Sequence, residues 1–278
     1  MTISVNNNQS ALIALQNLNQ TQGDLQTVQN AISTGLRINN PKDNAAIWAI
    51  AQGQRADIGA LDAVKMSLDR ANSIAQVSMT AGQSISDTLI QMKAKVTAAL
   101  DPSFDPNSRK ALNADYVTLL NQVQQMVNNA TFDGANILNG SMTGNIKFLA
   151  NADANSFLTL SVKNMSLGGA IITMPATSTI STVTMATAAL AQIQATMANV
   201  SQALGDMGAQ AKQIESHNTF VGKLMDVLQS GVGNLVDADL AKESAKLQAL
   251  QVKQQLGAQA LSIANSAPQV VLSLFKQG

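Results

Sequence analysis

The sequence predicts a mainly α fold: a long antiparallel helical bundle or coiled coil formed by the N- and C-terminal halves, with a small β-rich central insert. Three observations predict it. Apolar residues recur every seven positions near both ends, as one face of a helix requires. The prolines, at 41, 102, 106, 175 and 268, separate stretches too long and too apolar-periodic to be loops. Aromatic residues make up only 3% of the chain, so Ala, Leu, Ile, Val and twelve Met supply an apolar content suited to helix–helix seams.

Taken in order, Leu18, Leu25 and Ile32 hold the seven-residue spacing of the first segment, with Val28 between them and Leu12 and Leu15 upstream. Asn40-Pro41-Lys42-Asp43 reads as a helix start, with Asn as cap, Pro at the first helical position and Asp43 at the positive end of the dipole. A long helix should follow, its buried side marked by Ile58, Leu61, Val64, Leu68, Ile74, Val77, Ile85, Leu89, Met92 and Val96, stopping near Asp101-Pro102. Asp105-Pro106 restarts a helix whose inner face is traced by Leu112, Tyr116, Leu119, Val123 and Met126, and a turn at Asp133-Gly134 ends it. From about 137 to 175 short apolar runs alternate with glycine turns, and Phe157 to Val162 resembles a strand. After Pro175 the helical pattern returns with Ile214, Val221, Leu228 and Leu235, then Leu240, Leu247, Leu250, Leu256 and Ile263 carry it to Asn265, where Pro268 should close it.

Charge and chemistry narrow the function. Lys plus Arg and Asp plus Glu stand at seventeen each, so there is no basic field for nucleic acid or an anionic membrane. Charged residues are only 12% of the chain, which lets many copies crowd together without like-charge repulsion. No window approaches a transmembrane length of apolar residues. The opening MTISVNNNQS lacks the basic start and continuous apolar stretch of a cleaved signal peptide, so export, if it occurs, should use another route. With no cysteine and a single histidine, His217, thiolate metal sites and zinc-protease motifs are excluded and a serine triad is barely possible. His217 reads as a hydrogen-bonded residue of a helical seam. Asn151 to Ser156 resembles the start of a calcium loop but lacks the glycine and the closing glutamate, so an ordinary turn is expected. Asp237 and Asp239 read as helix-terminus residues, and no phosphate-cradling loop occurs. No catalytic, cofactor or metal site is expected, and a structural, self-associating subunit is.

The segment ISTGLRINNPKDNAAIWAIA, Ile32 to Ala51, and the preceding ALIALQNLNQTQ resemble the N-terminal signature of bacterial flagellins. LVDADLAKESAKLQALQVKQQLGAQALSIANSAPQVVLSLF, Leu235 to Phe275, is similar to the family's C-terminal signature. The resemblance covers about 140 residues at the start and about the last 90, and the short middle is that of a compact, alphaproteobacterial-type flagellin.

The resemblance implies a subunit that polymerises into the bacterial flagellar filament for swimming motility, secreted to the extracellular filament without a cleaved signal peptide. Residues 1–40 and 236–278 would form an inner core, disordered in the monomer because each end has too little apolar surface to offset ordering it alone. Residues 41–136 and 176–235 would form a surrounding helical domain, and 137–175 a small outward β-rich region. Self-assembly would rest on Leu12, Leu15, Leu18, Leu25, Val28, Ile32, Leu240, Leu247, Leu250, Leu256 and Ile263, with Arg37, Asp43 and Asn44 positioning neighbouring subunits. Asn265, Pro268, Leu272, Leu274 and Phe275 would serve inner packing. The implied partners are copies of the same chain and sister flagellins, the export apparatus and an export chaperone, and filament-cap and hook-junction proteins. His217-Asn218 stands where many flagellins have Asn-Arg, and Leu89 to Val96 lacks the arginines that the innate flagellin receptor recognises in enteric relatives, which implies weak activation. Two other readings share these features: a hook–filament junction protein, separable by copy number, and a surface glycan-binding homologue using the 139–164 insert.

Overall fold

A computed structural model describes the backbone of residues 8–276 and the side chains of residues 8–266. The elements run α1 (Gln9–Thr34), α2 (Ala45–Ala99), α3 (Pro106–Asn129), β1 (Ile146–Leu149), β2 (Phe157–Leu160), α4 (Val183–Val236) and α5 (Leu240–Lys276). They form two compact units, Met1–Ala56 with Val227–Gly278, and Asp57–Asp226.

In the first unit α1 and α5 pair antiparallel, Asn8 meeting Ala264 and Leu18 meeting Gly257. Asn8 caps α1 by accepting from the Ala11 amide at 3.1 Å, and Gly35, at φ 72°, ends it in the left-handed conformation that a Cβ disfavours. The chain then pairs with the α4–α5 connection: Arg37 N donates to Val236 O, and Ala238 N to Gly35 O. Asp239 Oδ1 accepts from the Ala241 and Lys242 amides and so caps α5, the helix-terminus role its spacing suggested.

Two boundaries of this unit differ from the sequence expectation. Helix α2 opens at Ala45, not Pro41: the cap is Asn44, whose Oδ1 accepts from the Ile47 amide at 3.1 Å. Pro41 instead occupies the second position of a turn closed by Asp43 N to Asn40 O, and Asp43 Oδ2 takes the amides of Asn39 and Asn40. At the other end α5 continues to Lys276 through Pro268, which was expected to close it. The Ala264 carbonyl, which Pro268 has no N–H to reach, accepts from Asn8 Nδ2 at 2.6 Å, and the helix continues past the missing donor.

The second unit encloses the main core. Leu68, Ile74, Ile85, Leu89, Met92 and Val96 of α2 are fully buried, as are Ile193, Val200, Met207 and Ile214 of α4. Gly82 lets the two helices approach closely, since a Cβ there would lie 2.7 Å from Leu204 Cδ2. Asp105 caps α3, accepting from the Asn107 and Ser108 amides, and the Ser108 hydroxyl and amide hold its carboxyl below the usual range. The buried face of α3 is Tyr116, Leu120, Val123 and Val127; Leu112, Leu119 and Met126 flank it, so the stripe is centred one residue beyond the expected line.

After α3, Phe132 and Ala135 bridge across a tight turn in which Asp133 (φ 49°) and Gly134 (φ 74°) both take positive φ. Strands β1 and β2 then pair antiparallel, Ile146 opposite Leu160 and Leu149 opposite Phe157. The strand expected from Phe157 to Val162 ends at Leu160, because the amides of Ser161 and Val162 turn to Gln210 Oε1 and Asn145 Oδ1. Helix α4 begins only at Val183; between Pro175 and that point Ser178 bonds Tyr116 and the Ile180 amide bonds Asn113 Oδ1.

Candidate functional site

The α1–α5 pair is a heptad seam of unusual composition. On α1 the residues turned from solvent are Ala11, Ala14, Leu18, Thr21, Leu25, Val28 and Ile32; on α5 they are Glu243, Leu247, Leu250, Gln254, Gly257, Leu261 and Ala264. These alternate at three- and four-residue steps, the spacing that keeps one stripe of each helix against the other. Only Thr21 and Val28 of α1 are buried, and several seam positions are small or polar. Two of its three polar members bond locally: Thr21 Oγ1 donates to Asn17 O at 2.8 Å, and Glu243 accepts from Lys246 Nζ at 2.7 Å.

A second set of apolar residues on the same two helices lies off the seam and stays largely exposed among the described residues. Leu12 is 61% exposed, Leu256 59% and Ile263 70%, a degree of exposure unusual for such side chains when they lie together. Ile13, Leu15, Leu240 and Val252 are exposed as well. Val252, Leu256 and Ile263 lie at helical spacing on α5, forming one stripe. A shallow groove of about 600 Å³ runs beside it, lined among others by Ile13, Ala14, Leu256 and Gly257. Charge is sparse on α1, where Asp24 is the one ionisable residue, while Lys253 of α5 lines the groove.

The sequence-derived residues therefore fall into three places. Leu18, Leu25, Val28, Ile32, Leu247 and Leu250 face the seam inside the chain, whereas Leu12, Leu15, Leu240, Leu256 and Ile263 point out of it. Arg37, Asp43 and Asn44 stand in the connection, where Arg37 Nη2 donates to Leu235 O at 2.9 Å. Asn265 is exposed. The side chains of Leu272, Leu274 and Phe275 lie outside the described residues. Ile13 and Val252 were not picked from the sequence, although Val252 sits one helical turn before Leu256 and could have been.

Elsewhere the chain is stitched together by ordinary polar contacts. His217 Nε2 lies 2.7 Å from Ala150 O and is half-buried, hydrogen-bonded as expected but to the loop after β1 and not to a helix of a seam, and Asn218 Nδ2 donates to Asp69 Oδ1 at 2.6 Å. Asn151 Oδ1 accepts from the Asn155 and Ser156 amides, the ordinary polar turn expected there. Among the described residues no group of three His, Asp or Glu is placed to hold a metal ion, and no described helix is long and apolar enough to cross a membrane.

Comparison with known proteins agrees with this geometry. The model of the bacterial flagellin N-terminal helical region matches residues 5–143, and that of the C-terminal helical region matches residues 180–275. The flagellin FljJ of Caulobacter vibrioides is 53% identical over 100% of both chains, and the flagellin FljM of the same organism is 47% identical over 98% of both. A flagellin of Brucella melitensis is 35% identical over 98% of this chain and 99% of its own. Among solved structures, a flagellar hook-associated protein from Vibrio parahaemolyticus aligns over 70% of this chain and 100% of its own with a TM-score of 0.59; at 12% identity this shows the fold alone. Matched by family models at both ends and by relatives along its whole length, the chain belongs to the bacterial flagellin family, the structural subunits of the flagellar filament.

Proposed function

We propose that the outward apolar stripes of α1 and α5 are the surface through which this filament subunit joins its neighbours. The observation that carries the reading is the division of the terminal residues into two sets: a weak seam within the chain, and apolar residues off it that stay exposed among the described residues, Leu12 and Leu15 on α1 and Val252, Leu256 and Ile263 along α5. Water-exposed stripes of this kind gain by burial against copies of the same chain or sister flagellins. A contact that repeats head to tail without closing builds an open helical filament.

The same division supports a terminal inner core, residues 1–40 and 236–278, that folds on assembly. A seam in which half the positions are small or polar, and in which only Thr21 and Val28 of α1 are buried, gives two paired helices little stability in isolation, so ordering and polymerisation become one event. Residues 41–136 and 176–235 would surround that core and 137–175 face outward. Arg37, Asp43 and Asn44, already held by intrachain bonds, would set the angle at which the ends meet neighbouring subunits. Soft ends suit passage through a narrow export channel with a chaperone in attendance and capture at the growing tip beneath a cap, above a hook-junction protein. Export without a cleaved signal peptide belongs to the same reading. The test is polymerisation: purified chain added to short filament seeds should elongate them into helical filaments seen by electron microscopy. Seeds that stay the same length at chain concentrations of tens of micromolar would overturn it.

A further inference from the structure

We propose that Asn8 is a positioning residue that sets the register of α1 against α5, by supplying the hydrogen bond that Pro268 cannot make. In an α-helix each carbonyl accepts from the amide four residues ahead, and for Ala264 that residue is Pro268, which has no N–H. Helix α5 nevertheless runs on to Lys276. The orphaned carbonyl accepts from Asn8 Nδ2 at 2.6 Å, across 256 residues of chain. The other end of the same amide is also engaged, since Asn8 Oδ1 accepts from the Ala11 amide at 3.1 Å as the cap of α1. One planar side chain thus starts α1 and repairs α5.

Register needs such a device here. A heptad seam can slide by whole repeats, and small residues resist sliding weakly because they offer few shapes that fit only once. This seam has Ala11, Ala14, Thr21, Gly257 and Ala264 at its contact positions. Two features break the repeat. Leu18 packs over Gly257, where a Cβ would stand 3.4 Å from its Cδ1, and Asn8 meets the carbonyl left open by proline. The second is directional and polar: any slip strands a carbonyl and an amide in a partly buried place. The inference rests on the reading of the outward stripes as the assembly surface, because only one register aligns those stripes on the two helices in every copy.

The experiment is a double-variant cycle read by elongation of native seeds. Asn8→Asp keeps the capping oxygen but loses the donor. It should slow elongation about tenfold, equivalent to about 1.4 kcal/mol. Pro268→Ala restores an N–H that can reach Ala264, so Asn8→Asp in that background should cost less than about twofold. The same loss in both backgrounds, or no loss in the native one, overturns the assignment. Should chains carrying Pro268→Ala fail to elongate, solid-state NMR of native filaments decides: magnetisation should transfer from the Asn8 side-chain nitrogen to the Ala264 carbonyl carbon, and its absence overturns the proposal. Failure of the native chain itself to elongate would instead strike the assembly reading.

Discussion

Replacing Leu256 and Ile263 together by Gln separates assembly from folding most cleanly. Both side chains are exposed, at 59% and 70%, so the isolated chain has little to lose, and Gln keeps a helix propensity close to that of Leu and Ile. Burying a whole Leu or Ile side chain contributes roughly 1.5–3 kcal/mol, and covering the exposed share of each gives about 1–2 kcal/mol. For the pair that is about 2–4 kcal/mol per subunit added, and at about 1.4 kcal/mol per tenfold the critical concentration should rise about 30-fold to 1,000-fold. Sedimentation of seeded reactions over a concentration series measures it, with the thermal midpoint of the monomer as control. A critical concentration within about threefold of the native chain, with folding intact, would refute the outward stripe as a subunit contact. A rise accompanied by a large loss of monomer stability would refute the division into inner and outer sets.

Three further outcomes follow from the second unit and the seam. Asn136 is 3% exposed and makes four bonds, giving Nδ2 to Val127 O and Asn128 O and accepting from the Leu138 and Asn139 amides; Asn136→Ala should cost about 3 kcal/mol and lower the thermal midpoint by about 6–12 °C, seen by circular dichroism. Burial raises the Tyr116 phenol above its ordinary 10.0, outweighing the opposing bond from Ser178. The folded state therefore favours the neutral phenol: that stability is complete below pH 10.0 and is lost as pH rises through the higher folded value, so denaturant titrations of Tyr116→Phe should fall less steeply above pH 10.0 than those of the native chain. Leu247→Gln, placed in the inner seam, should weaken elongation as well, but through the pairing of α1 with α5, so hydrogen exchange in any filaments formed should rise in both helices together.

What was legible in the sequence is whatever a local pattern dictates. The spacing of Leu18, Leu25 and Ile32 gave the inner face of α1, and Asp105-Pro106 gave the start of α3, because a cap and a stripe are read from neighbouring residues alone. The same reasoning placed the start of α2 at Pro41 and was overruled within one short stretch: Asn40 and Asn44 are both competent caps, and the Asp43 carboxylate, by taking two preceding amides, decides for the second. Pro268 misled for the opposite reason, since its missing N–H is made good by a residue near the far end of the chain. Strand β1, Ile146–Leu149, is too short for alternation to show and exists through its pairing with β2. At the ends a sequence shows an apolar residue but not which partner it faces; Leu15 and Leu18 look alike until the chain is folded, and then one is turned outward and the other inward.

The central claim is that the chain ends become ordered by joining other copies, and hydrogen exchange read by mass spectrometry on monomer and filament tests it most directly. Peptides covering 9–34 and 240–266 should exchange within seconds in the monomer and be strongly protected in the filament, while those covering 106–129 are protected in both. Equal protection of the terminal peptides in monomer and filament would contradict it.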